Sequence, residues 1–189
     1  MKLNNKYYLL RHGEAVSNVK NIVSSWREKF KNPLTDVGVQ MINDAAIKLA
    51  DKKIDLIFAS PLLRTKQTAK IVGKALKVKV KFDKRLREIS FGIFNGKNAS
   101  DWENYFTSEE YAIANRPPGG ENYDDVLDRI YEFLMDIDKK YKGKHILIVS
   151  HQCPLWILEN KVNGFALQEG LIRTPEQMRI NKGELRELN

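Results

Sequence analysis

The sequence holds one cysteine, Cys153, so no disulfide can close within the chain, which fits a reducing compartment. The same scarcity removes the thiolate sets of structural zinc sites, and the three histidines include no pair at metal-ligand spacing. No apolar run reaches transmembrane length. Met1 to Lys6 leads into a short apolar run and lacks the longer stretch and small-residue cleavage site of a secretory signal. A cytoplasmic protein without membrane attachment is therefore expected. Low-complexity tracts and repeats of fixed period are also missing. What remains is an ordinary globular composition, 42% hydrophobic and 30% charged over 189 residues, enough for one well-buried core and short for two. One domain covering 1–189 follows as the expectation.

The net charge of +8 invites a nucleic-acid reading, because clustered Lys and Arg release counterions from a phosphate backbone. Its distribution argues against that. Lys77, Lys79 and Lys81 alternate with Val78, Val80 and Phe82, the period-two pattern of a strand with one basic face. Exposed lysines commonly keep an edge strand from pairing with other chains.

Along the chain, apolar runs alternate with helical patterns. Tyr7 to Leu10, Leu56 to Ala59 and Ile146 to Val149 have the length of buried strands. Thr35 caps a helix carrying Val39, Ile42, Ala45, Ala46 and Leu49. Ser60 and Pro61 are expected to cap another with Leu62, Thr65, Ala69 and Val72, and a third runs from Tyr123 to Tyr141. Asn181-Lys182-Gly183 reads as the turn of a terminal hairpin between Met178–Ile180 and Glu184–Leu188. The alternation predicts an α/β protein, a three-layer α/β/α sandwich around a mostly parallel sheet. Residues 91–120 break the rhythm. With Trp102, Tyr105, Phe106 and Tyr111 among acidic residues and a closing Pro117-Pro118-Gly119-Gly120, they read as an inserted helical flap.

Two of the three histidines, His12 and His151, directly follow apolar strands, where ligands bind in α/β sheets. Either alone would read as a structural histidine satisfied by nearby backbone. Arg11 and Arg64 near the same sheet edge change that, because planar guanidinium groups bind phosphoryl oxygens bidentately. His145, at the start of its strand, reads as structural.

The order of motifs resembles the histidine phosphatases, the phosphoglycerate mutase-like family, over nearly the whole chain. Leu10-Arg11-His12-Gly13-Glu14 with Asn18 is similar to the family signature, and Asn21, Ser24, Ser25 and Trp26 fall in its substrate loop. Ala59-Ser60-Pro61-Leu62-Leu63-Arg64-Thr65 resembles the motif whose Arg binds phosphate. Leu86-Arg87-Glu88-Ile89 with Phe91-Gly92 and Gly96 resembles the segment of the catalytic acid. Pro118-Gly119-Gly120-Glu121 and Val149-Ser150-His151 resemble the last two motifs.

The resemblance implies a metal-independent phosphatase with no cofactor, acting on a small phosphorylated metabolite. His12 would attack phosphorus, with its second ring nitrogen held by an acceptor. Arg11, Arg64 and a protonated His151 would hold the equatorial oxygens, and Glu88 would serve as acid and then base. Asn18, Ser24, Ser25 and Gln152 would contact substrate. Gln152 departs from the family's usual Gly, and Phe94 and Asn95 from its usual Trp and Glu. Without the motif, Glu88 would read as a surface carboxylate among Lys84, Arg85 and Arg87.

Other phosphatase chemistries fail on spacing. Six residues after Cys153 stands Glu159 where a cysteine phosphatase needs Arg, and Asp136-Ile137-Asp138 lies within a helical pattern. Gly92 to Gly96-Lys97 is one residue short of a P-loop. Two alternatives stay open. One is a phosphoglycerate mutase-type phosphotransferase. The other is a phosphatase-like binding or sensing domain of a larger protein such as an aminoacyl-tRNA synthetase. Oligomeric state is open between monomer and homodimer.

Overall fold

The computed structural model describes all of residues 1–189. In chain order the elements are β1 (Lys6–Arg11), α1 (Val16–Val19), α2 (Asp36–Leu49), β2 (Leu56–Ala59), α3 (Leu63–Leu76), β3 (Val80–Phe82) and α4 (Ala99–Glu103). They continue with α5 (Tyr111–Ala114), α6 (Tyr123–Lys140), β4 (His145–Ser150), α7 (Gln152–Val162), α8 (Leu167–Arg173) and β5 (Leu185–Glu187). The sheet order is β3-β2-β4-β1-β5. Four strands are parallel, and β5 pairs antiparallel with β1 at one edge.

The central strands are apolar on both faces because helices cover both faces. Successive side chains point opposite ways. Tyr7, Leu9, Phe58, Ile146 and Ile148 enter one cluster with Val126, Ile130, Phe133 and Leu134 of α6 and Trp156 of α7. Tyr8, Leu10, Ile57, Leu147 and Val149 enter another with Ile42, Ala45 and Leu49 of α2 and Ala69 and Val72 of α3. Each large aliphatic or aromatic side chain so buried contributes about 1.5–3 kcal/mol before the entropy of ordering. The start of β1 is tied to the end of α6 by the buried Asp138 carboxylate, which accepts from the Asn4 and Asn5 N–H groups and from the Tyr7 hydroxyl.

The expected three-layer arrangement is present, and β3 is an edge strand as its lysines imply, although only Val80–Phe82 pair. Thr35 caps α2 by accepting from the Gly38 N–H. Three expectations differ. Lys77 closes α3 in a left-handed conformation and lies outside the strand. Helix α3 begins at Leu63, with Leu62 extended at its N-cap and no side chain capping it, while the Ser60 hydroxyl lies against His151. The terminal hairpin does not form. Its turn is present at Lys182-Gly183, but Glu176–Met178 form a single 3-10 turn and β5 pairs with β1. The flap consists of short pieces, Gly92–Phe94, α4 and α5, held by edge contacts of Trp102 with Phe91, Phe94 and Phe106.

Candidate active site

Parallel register builds the site. Leu10 lies beside Val149 and Arg11 beside Ser150, while Ala59 of β2 lies beside Val149. The next residues out, His12, His151 and Ser60, therefore emerge together at the carboxyl ends of three adjacent strands. The His12 N–H donates to the Ser150 carbonyl, and the Ser60 N–H to that of Val149. Beyond His12 the chain must pass α2 at backbone contact. A Cβ on Gly13 would lie 2.3 Å from the Gly38 carbonyl oxygen, and one on Gly38 2.0 Å from that of Glu14, so neither position has room for a side chain.

The two imidazoles are buried, with ring centroids 5.2 Å apart. His12 Nδ1 lies 2.7 Å from the Gly13 carbonyl oxygen, and its Nε2 receives the Arg64 Nε–H at 3.0 Å. The first contact requires a proton on Nδ1 and the second a lone pair on Nε2, which fixes one neutral tautomer. Burial, then Arg64 and Arg11, hold His12 far below the ordinary imidazole range. His12 thus presents an unprotonated Nε2, the form a nucleophile needs.

His151 departs from the expectation of a protonated ring. Burial, then the charges of Arg64 and Arg11, push it far below its ordinary value. Its Nε2 lies 2.8 Å from Ser60 Oγ, which also accepts from the Leu62 N–H. If the Ser60 hydroxyl donates to Nε2, the ring proton sits on Nδ1, a buried atom with no protein partner. A neutral ring can donate from there without carrying charge.

Arg64 is buried and enters from the first turn of α3. Its Nη2 donates to the Ser24 carbonyl at 2.9 Å, and Glu28 lies 3.5 Å from Nη1. Burial pulls Arg64 down to about 10, so it stays charged at neutral pH. Arg11 spends one Nη1 bond on the Ile180 carbonyl. Arg11 Nε, Arg64 Nη1, His151 Nδ1 and Ser24 Oγ are all buried without a hydrogen-bond partner. Buried polar atoms are rarely left unpaired, and three of these belong to residues that line one cavity, Arg11, Ser24 and Arg64, which marks a site suited to an anion.

That cavity, about 440 Å³, is lined by Arg11, His12, Asn18, Ser24, Arg64, Glu88 and Gln152, with Phe91 at its flap side. Of the expected substrate contacts, Ser25 alone is withheld. Its N–H donates to Asn95 and its hydroxyl accepts from the Phe91 N–H, so it ties the substrate loop to the flap. Glu88 is raised above the ordinary carboxyl range, mainly by burial, against the lowering pull of Arg64 and Arg11. The other carboxylates beside the motifs are engaged elsewhere. Glu14 accepts from the Thr35 hydroxyl, and Glu121 pairs with Arg129. A larger groove of about 890 Å³ lies behind Glu88 and contains Trp26, Arg87 and Arg129, but neither site histidine.

Sequence reasoning missed Ser60, Glu28 and Arg129 as parts of this machinery. Arg129 of α6 donates to the carbonyls of Arg85, Arg87 and Glu88, fixing the backbone that presents the Glu88 carboxyl. Nothing local to these residues marks them, since their partners lie 35 to 91 positions away.

Unpaired donors in the wall of one cavity, beside an unprotonated imidazole, meet the needs of phosphoryl transfer, and the site is that of a phosphoryl-transfer enzyme. The chain belongs to the histidine phosphatase superfamily, branch 1, whose model matches residues 7–186. It is 29% identical over 162 residues to a Salmonella choleraesuis protein named "Probable phosphoglycerate mutase GpmB", covering 83% of this chain and 74% of that one. Among solved structures, Bacillus stearothermophilus YhfR superposes with a TM-score of 0.82 at 26% identity, covering 96% of this chain and 89% of that one. The α-ribazole phosphatase of Shigella flexneri does so with 0.78 at 25%, covering 95% and 88%.

Proposed function

We propose that the protein is a metal-independent phosphomonoesterase that hydrolyses a small phosphorylated metabolite in the cytoplasm through a phosphohistidine on His12. The observation that carries this reading is the tautomer of His12, with Nδ1 held by the Gly13 carbonyl and Nε2 unprotonated against Arg64. In-line attack by Nε2 forms the N–P bond as the ester P–O bond breaks, and Glu88 gives its proton to the leaving alkoxide. Arg11, Arg64 and the His151 Nδ1–H hold the equatorial oxygens. Glu88, now a carboxylate, then takes a proton from water as that water attacks phosphorus and the N–P bond breaks. The small flap, with helices of five and four residues, and the fold shared with an α-ribazole phosphatase support hydrolysis.

A mutase reading draws support from the GpmB relatives. It requires the phosphoryl group to wait on His12 for an acceptor alcohol, so added acceptor should compete with water.

Leaving-group dependence tests the role of Glu88. Glu88→Gln is expected to slow an alkyl phosphate by roughly a hundredfold to ten-thousandfold, the usual span of proton-transfer catalysis. An activated aryl phosphate, whose leaving group needs no proton, should phosphorylate the enzyme at near-normal rate and accumulate phosphohistidine. In the wild type, alkyl turnover should fall as pH rises through the raised Glu88 value, and the variant should lack that limb. Equal slowing of both substrates without build-up of phosphoenzyme would remove Glu88 from the mechanism.

A further inference from the structure

The turn Asn181-Lys182-Gly183 contributes nothing to the chemistry described so far, yet it forms one wall of the cavity. Asn181, Lys182 and Glu176 all line it. The turn is fixed directly to the catalytic strand. The Gly183 N–H donates to the carbonyls of both Arg11 and His12, at 3.2 and 3.1 Å, and the Arg11 N–H donates to the Glu184 carbonyl. Glu184 closes the turn by accepting from the Asn181 N–H and side-chain amide. Gly183 is at φ +70°, and a Cβ there would stand 2.9 Å from Met41 Cβ, so the turn packs against α2 in a conformation that favours glycine. Residue 182 is therefore held at a set distance from the nucleophile.

The other cations of this tail are spent. Arg173 pairs with Glu169, Arg179 with Glu109, and Arg186 with Glu159 and Glu184. Lys182 makes no ion pair and is half-buried in the cavity wall. Its charge reaches His12, whose proton affinity it lowers, while the field of Glu176 falls on Arg11. The phosphoryl group is already matched by Arg11, Arg64 and His151.

Resting on the phosphatase reading, we propose that Lys182 binds a second anionic group of the substrate, so that the preferred substrates are phosphate monoesters carrying a further carboxylate or phosphate. Side-chain amides of Asn18, Asn21 and Gln152 in the same cavity supply polar contacts for the linking atoms. The selectivity comes from charge placed beside the phosphate pocket, and it is independent of the proton-transfer steps.

Unreactive phosphonates separate this from turnover. Binding of ethylphosphonate, 3-phosphonopropionate and ethylene-1,2-bisphosphonate is measured by calorimetry for the wild type, Lys182→Gln and Lys182→Arg. The wild type should prefer one or both of the probes that carry a second anionic group over ethylphosphonate. Lys182→Gln should erase that preference by roughly ten- to a hundredfold, the usual worth of a charge-assisted contact, and Lys182→Arg should largely restore it. Whether the carboxylate or the second phosphonate shows the larger effect identifies the group recognised. Equal losses for all three probes, or no preference in the wild type, would overturn the proposal. Absence of phosphohistidine would instead strike the phosphatase reading, since these probes bind without reacting.

Discussion

At the scale of single residues, the site rests on keeping two buried imidazoles neutral. Both are depressed in the folded chain, whereas in the unfolded chain each titrates near the ordinary value of about 6.5. Above that value neither state binds the proton, and no stability is at stake. Below it the unfolded chain takes up protons that the folded chain refuses, so stability falls as pH drops from about 6.5 toward the depressed folded values. The slope should approach about 1.4 kcal/mol per pH unit for each histidine. Urea denaturation at pH 7.5, 6.0 and 5.0 measures it, and His12→Asn with His151→Asn should flatten the profile. An unchanged slope in the double variant would contradict the buried, neutral assignment. His12, His151, Arg11, Arg64 and Glu88 were legible in the sequence because each sits in a short motif at a strand or helix end. The charge state of His151 was not, since it depends on burial and on the neighbouring Arg64. Nor was the diversion of Ser25, whose partners Phe91 and Asn95 lie in the flap.

At the scale of elements, α6 positions the segment that carries Glu88. Arg129 donates to three carbonyls between Arg85 and Glu88 and is itself held by Glu121, which also accepts from the Ser90 N–H. Replacing Arg129 leaves those carbonyls short of a donor and frees the loop. Arg129→Met is expected to lower kcat on an alkyl phosphate by roughly tenfold to a hundredfold, because a displacement of about 1 Å is worth that much. Its effect on phosphoenzyme formation from an activated aryl phosphate should be much smaller. Steady-state and rapid-quench rates on the two substrates check this, and equal loss on both would show that Arg129 serves stability alone. The strands were legible because a fully buried strand is a short apolar run with no competing pattern, as in Leu56 to Ala59. The start of α3 and the fate of the tail were not. Ser60 carries good capping chemistry, but its hydroxyl is committed to a histidine 91 positions away. The Lys182-Gly183 turn is locally encoded, yet β1 has an open edge and outcompetes Met178–Ile180 as the partner of β5.

At the scale of the whole molecule, two helical layers clamp a sheet whose carboxyl ends carry the candidate site, while the flap and the C-terminal tail both contribute to the cavity wall. Charge stabilisation is assigned to Arg11, Arg64 and His151, and no group of three or more His, Cys, Asp or Glu side chains gathers with metal-binding geometry. Turnover is therefore expected to survive exhaustive chelation. Loss of rate restored by one divalent ion would overturn that assignment. The central claim is hydrolysis through phosphohistidine, and rapid quench with a phosphorus-labelled substrate tests it most directly. The wild type should show transient label that is stable in base, labile in acid and confined to the peptide containing His12. That label should pass to water, with no faster discharge when a phosphoglycerate is added. His12→Ala should show neither label nor turnover. Turnover retained by His12→Ala, or label on another residue, would contradict the account, and faster discharge to the added acceptor would replace hydrolysis by transfer.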